Sequence, residues 1–444
     1  MSQQENMMGV LPIRKLVLQM SWPIMLSMLM QAVYNFVDSM FVARVSDEAF
    51  LALSYAYPVQ TLLIAYCVGL GVAFSATLSK RIGEEKMDEA TNVLGHGFFL
   101  FLMGWVAFFL FGLFLAPAFL RSCTDTAEVA KLGADYLRIC CCLSIGICIQ
   151  FPIERTLQAT GHPSGFMIVQ GSGALLNLIL DPLFIFTFQM GVKGAALATV
   201  IGQISGALIG VGLLFHYRKQ MPMQFHPVKF QGSMFREIGV IAIPAILMQS
   251  LISVMSFGMN AILHLWSETA VWVLGAYFKI QSFVFMPIFS INNALIAIIS
   301  YNYGAGKKER ATQAIRFSLQ LSILITVTGA VLLCLAASPL LVYCFEASGE
   351  ALTLGIRSLR YTCLSFPIAA VSIICSAAFQ SLGHNLYSLA ISLLRFLILL
   401  LPIALLLILT VPEHVFMAFF FTEIIAAAVA LFLYRKVQHN TLAA

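Results

Sequence analysis

Long apolar runs constrain this chain more than any motif does. Twelve can be marked, at residues 16–42, 51–78, 93–116, 134–153, 166–188, 192–215, 238–264, 270–299, 314–337, 359–380, 387–409 and 416–433. Each supplies the roughly 20 residues needed to cross a hydrocarbon layer about 30 Å thick. Hydrocarbon offers no partner to an open backbone, and the alternation of a barrel strand is absent, so the runs predict helices. The expected class is all-α: a polytopic membrane protein with 12 transmembrane helices. Only 10% of the residues are charged, against about 25% in soluble domains. Disorder, a collagen-like repeat, a disulfide scaffold and nucleic-acid binding are excluded on that ground. The first run is too long for a signal-peptide core and has no small-residue cleavage site after it, so it is expected to be retained.

An even number of spans puts both termini on one side. Arg14, Lys15, Lys80, Arg81, Lys86, Arg155, Arg218, Lys219, Lys229, Arg236, Lys307, Lys308, Arg310, Arg435 and Lys436 fall on that side, against Arg44, Arg121, Lys131 and Lys193 on the other, and the positive-inside rule makes the richer side the cytoplasm. The net charge of +5 is then a topology signal. The expected setting is the cytoplasmic (inner) membrane, with the lipid bilayer and small organic molecules as partners, no nucleic acid, and a monomer. Most of the ten cysteines lie inside runs and act as small apolar residues; Cys123 and Cys344, both on the outer side, are where a disulfide is chemically possible, and free thiols are expected there.

Displaced by 221 residues, the chain matches itself. Pro23 meets Pro244, Ser46 meets Ser267, Gly83 meets Gly304, Cys123 meets Cys344 and Leu143-Ser144 meets Leu364-Ser365; one further residue of shift brings Gly161-His162 onto Gly383-His384. The reading is two pseudo-symmetric six-helix lobes, 1–215 and 238–444, joined by a cytoplasmic linker at 216–237. Parallel repeats of this kind suit a carrier with a site near the midplane.

A carboxylate at bilayer depth needs a partner, a water path or a proton. Asp38 lies late in the first run and Asp181 in the fifth, four residues after Asn177 and so on the same helix face. Pro182 has no N–H and leaves the carbonyl of Leu178 without its helical donor. Together these groups could form a wet proton-binding pocket or an oxygen cage for Na⁺. In the second copy the position facing Asp38 is Met259, and the charges at depth are Lys279, Arg395 and Glu423. The favoured expectation is that these three pair as a neutral cluster; the sharper one is that Lys279 or Arg395 contacts the transported molecule. There is no Gly-rich phosphate loop, no His-Glu-x-x-His and no segment large enough for a nucleotide-binding domain, so an ion gradient would supply the work and the chain is read as no enzyme, with no cofactor.

These residues resemble those of the multidrug and toxic compound extrusion (MATE) family, its DinF-like branch in particular, over essentially the whole chain. The matches are Pro23, Gln31, Tyr34 and Val37-Asp38-Ser39 in the first run, Asn177-Leu178-Ile179-Leu180-Asp181-Pro182 in the fifth, Gly194-Ala195-Ala196-Leu197-Ala198-Thr199 opening the sixth, and Asn302-Tyr303-Gly304-Ala305-Gly306 with Arg310 after the eighth. The resemblance implies a V-shaped, two-lobed efflux antiporter that exports amphiphilic, first of all cationic, compounds in exchange for H⁺ or Na⁺ by alternating access. It implies a cation site at Asp38, Asn177, Asp181 and Thr199, cavity positions at Gln31, Tyr34 and Asn35, and bending at Pro23. Gln249, Lys279 and Arg395 are the second-copy cavity candidates. Gln249 stands where the NorM-type branch has a Glu, so no cation site is carried over to that copy. Two rivals share parts of this pattern. A flippase for lipid-linked sugars should show a more basic cavity, and a membrane-embedded transferase should show an Asp-rich Mg²⁺ motif, which is absent.

Overall fold

The structure is a computed structural model that describes residues 6–43, 46–221, 231–345 and 347–442; side chains at 35, 36, 39, 40, 42, 43, 47 and 50 are not described. Among these residues there are helices and no strands. We number the main helices α1 (Ile13–Ala43), α2 (Asp47–Gly83), α3 (Met87–Cys123), α4 (Ala127–Cys142), α5 (Ile145–Ala159), α6 (Pro163–Pro182) and α7 (Val192–Tyr217). The second series is α8 (Gly232–His264), α9 (Glu268–Gly304), α10 (Lys308–Phe345), α11 (Gly349–Cys363), α12 (Phe366–Ser381), α13 (Asn385–Thr410) and α14 (Met417–Val437).

Among the described residues ten helices are long and apolar enough to span a membrane, and up to 12 spans are present if each of the bent pairs α4–α5 and α11–α12 is one. The bends, 44° and 47°, fall at Leu143-Ser144 and Leu364-Ser365, the same place in each copy. There Ser144 Oγ donates to the carbonyl of Cys141 at 2.7 Å and Ser365 Oγ to that of Thr362 at 2.6 Å. Each hydroxyl occupies an acceptor of the preceding turn. Large apolar side chains such as Phe114, Leu208, Phe215, Leu335 and Phe432 are exposed, as expected of helices whose outer solvent is lipid rather than water.

The duplication is visible in backbone detail. Ser46 and Ser267 both cap their helices, accepting from the N–H of Ala49 and of Thr269. At the other end of the same two helices the chain turns through a left-handed residue, Glu85 (φ 60°) in one copy and Gly306 (φ 71°) in the other. The N–H of Lys86 then returns to the carbonyl of Arg81, and that of Lys307 to Asn302. This is one helix-terminating motif built twice. Gly161 (φ 85°) and Gly383 (φ 82°) repeat the pattern after α5 and α12.

The chain divides into two compact units. Unit 1 is Met1–Val10 with Trp22–Ile246, and unit 2 is Leu11–Ser21 with Leu247–Ala444. The division cuts α1 just before Pro23 and α8 just after Pro244, so each repeat's first helix has its opening turns in one unit and the rest in the other. Within unit 1, Arg81 holds Glu237 at the start of α8 (2.7 Å), together with Glu84 (2.8 Å) and Glu89 (3.2 Å). Within unit 2, Arg310 donates to the Leu11 carbonyl (2.7 Å) and to Asn302 Oδ1 (3.1 Å).

One expectation needs correction. The fourth run does not stop at Ile153, because α5 continues to Ala159 and carries Glu154 and Arg155 as buried residues. Cys123 and Cys344 are both free thiols.

Candidate functional site

Unit 1 gathers the acids. Asp181 is fully buried near the end of α6, where Pro182 breaks the hydrogen-bond ladder and the chain passes into a π-turn, Leu183–Thr187. One helical turn back, Asn177 is 2% exposed and lies between Asp181 and Thr199 of α7. The hydrogen-bond network assigns its amide: the nitrogen donates to Asp181 Oδ2 at 3.0 Å and the oxygen accepts from the Thr199 N–H at 3.0 Å. Asp38 approaches from α1, and its carboxyl lies within hydrogen-bonding reach of that of Asp181. Its Oδ1 is enclosed and has no donor among the described residues. Two carboxyl groups this close repel each other as bare anions, so a proton or another small cation between them would stabilise the pair.

Tyr34 stands beside both acids and bonds to Gln31, and Gln31 Oε1 accepts from Gln170 Nε2 of α6 at 2.6 Å. The structure therefore brings Gln31, Tyr34, Asp38, Asn177, Asp181 and Thr199 into one cluster. Asn35 lies on α1, but its side chain is outside the described residues. Among the described residues no three His, Cys, Asp or Glu side chains converge as a metal cage, and the donor set at the pair is two carboxylates, an amide and a hydroxyl. These are the hard oxygen ligands that a small alkali cation or a proton accepts.

Why the helices meet here is written in small residues. A methyl group on Gly202 of α7 would stand 2.7 Å from the Gly173 carbonyl and 3.3 Å from Asn177 Cβ, and one on Gly173 would stand 2.8 Å from the Gly202 carbonyl. The two backbones touch because neither residue has a side chain. That contact fixes Asn177 against Thr199.

Unit 2 is built differently. Arg395, carried on a π-turn within α13, grips Glu423 of α14 with Nε 3.0 Å from both carboxylate oxygens and Nη2 2.6 Å from Oε1. The pair is neutral and closed. Lys279 is not part of it: it is exposed on α9 and makes no ion pair among the described residues, which corrects the expected three-member cluster. The reason is helix rotation, since Tyr277, two residues earlier, is the α9 side chain that faces Glu423 and Arg395. Gln249 is half-buried on α8.

Sequence reasoning missed Glu154 and its partner Gln150. Glu154 is 1% exposed and accepts from Gln150 Nε2 at 2.7 Å. The signal that could have found it is the stop at Gly161-His162, which lets α5 run on well past Ile153.

Comparison with solved structures places this architecture. An outward-facing multidrug resistance MATE family transporter of the MOP superfamily superposes with a TM-score of 0.93 over 98% of each chain, at 24% identity. A MOP superfamily transporter from Pyrococcus furiosus gives 0.92 over the same share, also at 24%. The all-helical fold is thus the one these structures share. A family model for MatE matches residues 23–183 and 244–406, two segments whose starts repeat the 221-residue offset. The chain belongs to the MatE family. Among its relatives, the FAD transporter of Shewanella oneidensis is 25% identical over 88% of each chain. The multidrug export protein MepA of Staphylococcus haemolyticus is 24% identical over 84% of this chain and 82% of its own.

Proposed function

We propose that this transporter is a secondary antiporter that exports amphiphilic organic compounds, cations among them, and takes in H⁺ or Na⁺ at the Asp38–Asp181 pair by alternating access. The observation that carries the reading is the pair itself: two enclosed carboxyls in mutual reach, with Asn177, Thr199 and Tyr34 around them and, among the described residues, no Lys or Arg ion-paired to either. Acids at bilayer depth mark ion and proton pathways, and a pair of them suits the binding and release of a small cation. Relatives named as a multidrug export protein and as an FAD transporter support an organic cargo. The basic connectors at the end bearing both termini support a cytoplasmic placement of that end in the inner membrane. The two lobes of the repeat act within one chain, as a monomer, with the coupling site in the first lobe only.

The test is ethidium flux in proteoliposomes under an imposed pH or Na⁺ gradient. Asp38→Asn and Asp181→Asn should each abolish gradient-driven flux while the protein remains inserted and folded. Full flux in either variant removes that residue from the mechanism. A wild-type response to Na⁺ alone assigns the site to Na⁺, and a response to pH alone assigns it to protons.

A further inference from the structure

Unit 1 carries a basic groove that ion exchange at Asp38 and Asp181 does not use. It lies between the last turns of α3 and the first turns of α4, on the side opposite the termini. It encloses a cavity of about 560 Å³ whose lining includes Pro117, Arg121, Lys131, Asp135 and Arg138. Proteins hold small molecules in spaces of about 300–1,000 Å³.

Helix packing leaves the space open. A methyl group on Gly112 of α3 would stand 2.7 Å from Cys141 Cβ of α4, and one on Gly133 of α4 would stand 2.6 Å from Leu120 of α3. These contacts pin the antiparallel helices at two levels. Three residues along each helix from the first contact, Arg138 comes level with Leu115; two residues from the second, Lys131 comes level with Ser122, next to Arg121. Into the groove α4 presents Ala127, Ala130 and Ala134, which are too short to fill it.

The charges are unbalanced. Lys131, Asp135 and Arg138 follow at i, i+4 and i+7 and share one face of α4. Asp135 is taken by Lys193 of α7, at 3.0 Å. Arg121, Lys131 and Arg138 are exposed and make no ion pair among the described residues, and the one other acid of the lining is Asp125. Three cations against that single carboxylate leave the groove positive.

This placement runs against the rest of the chain. The positive-inside rule disfavours cations on this side, yet three of the four that the connectors place here, Arg121, Lys131 and Lys193, meet at the groove with Arg138. The second copy builds the same hairpin without them: 221 residues on, Arg121, Lys131, Asp135 and Arg138 become Val342, Leu352, Ile356 and Leu359. Its packing therefore does not require the charges.

Depth indicates what they bind. Arg121 lies just past the apolar run 93–116 and Arg138 just inside the run 134–153, so the cations straddle the edge of the hydrocarbon, where lipid phosphates sit. Guanidinium groups match phosphate geometry, and a lysine adds a point charge. On the hydrocarbon side, Phe114 and Leu115 are exposed at the level of Arg138.

We propose that this groove binds the phosphodiester of an anionic phospholipid from the leaflet opposite the termini, with Arg121, Lys131 and Arg138 on the headgroup and the acyl chains along Phe114 and Leu115. A dissolved phosphate ester offers the same anion but leaves the apolar flank uncovered. The site is separate from the acid cluster and does not depend on which ion drives transport.

The test is binding to the full chain in dodecyl maltoside micelles, read as retained lipid by native mass spectrometry and as the shift in thermal unfolding. The probes are phosphatidylglycerol, phosphatidylcholine and free glycerophosphate. Each cation near a membrane surface is worth roughly fivefold in affinity for an anionic lipid. The triple variant Arg121→Gln, Lys131→Gln, Arg138→Gln should lose one retained phosphatidylglycerol and need at least about tenfold more of it for half the thermal shift. The charge-matched control Arg435→Gln, Lys436→Gln, on exposed residues at the end of α14, should move that midpoint less than about twofold. Phosphatidylcholine should bind wild type at least about tenfold more weakly, and glycerophosphate should give no shift. If the triple variant is unstable without lipid, the double variant Arg121→Gln, Lys131→Gln carries the same comparison from outside the apolar runs. Unchanged retention and midpoint in these variants overturn the proposal, and an equal loss in the control does so too by reducing the effect to net charge. A glycerophosphate shift matching that of phosphatidylglycerol makes this a site for soluble phosphate esters and overturns the lipid assignment.

Discussion

Single residues carry two consequences of the duplication. Glu85 and Gly306 occupy the same left-handed position of the same helix stop, but only glycine adopts it without strain. Glu85→Gly should stabilise the protein by about 1 kcal/mol and Gly306→Ala should cost a similar amount, both read from thermal unfolding in detergent. An unchanged melting point in both would show that the turn is held by its surroundings. His162 and His384 are the other matched pair, each following its left-handed glycine. Burial holds both imidazoles below the usual value of 6.5, against the opposing pull on His162 of its bonds to Gln220 and Thr160. A depressed folded value means that the folded state binds fewer protons than the unfolded one, so the stability these residues contribute is present above pH 6.5 and drains away as pH falls toward the folded value. Thermal stability should drop between pH 7.5 and 5.5, and the drop should shrink in a His162→Gln, His384→Gln double variant. The residues of the acid cluster were legible beforehand, since depth in a run and an i, i+4 spacing are local properties. That Tyr34 and Gln31 join it, and that Lys279 leaves the Arg395–Glu423 pair, depends on how each helix is rotated about its axis, which no local pattern states.

At the scale of elements, the contact between α6 and α7 sets the site. Gly202→Val would drive two methyl groups into the Gly173 carbonyl and Asn177 Cβ, and overpacking of this kind costs about 1–3 kcal/mol when neighbours must move. The expected outcome is insertion at near-normal levels with gradient-driven flux largely lost, because Asn177 no longer spans Asp181 and Thr199. Gly212, with nothing within 4 Å of an added Cβ, is the control: Gly212→Ala should transport normally. Normal flux in Gly202→Val would mean that the amide bridge is dispensable. The bent pairs α4–α5 and α11–α12 show the limit of reading elements from hydropathy. Apolar character continues through each bend, so a hydropathy run reports one span where a serine hydroxyl has already opened the backbone ladder. The same averaging cut α5 short at Ile153, because Glu154 and Arg155 look like a connector until the helix around them is seen to bury both.

For the whole molecule, coupling is governed by charge arithmetic. A potential of 100 mV is worth about 2.3 kcal/mol per charge and a tenfold gradient about 1.4 kcal/mol. If one proton is exchanged for one monovalent cation, the potential cancels, and ethidium accumulation should follow the pH gradient alone, about tenfold per pH unit. A neutral substrate exchanged for the same proton should respond to both. Clamping the potential with a potassium diffusion gradient separates these cases, and an ethidium gradient that grows with the clamped potential would rule out one-for-one exchange. The long apolar spans, the doubled architecture and the candidacy of Asp38 and Asp181 were legible in the sequence alone, because length, periodicity and depth in hydrocarbon are carried by neighbouring residues; Glu154 was not. Which polar groups meet was decided only in three dimensions: Gln31 with Gln170, Gln150 with Glu154, Arg395 with Glu423 and without Lys279. Those encounters join helices far apart in the chain, and they depend on the close approach of glycine-bearing backbones and on where each helix ends.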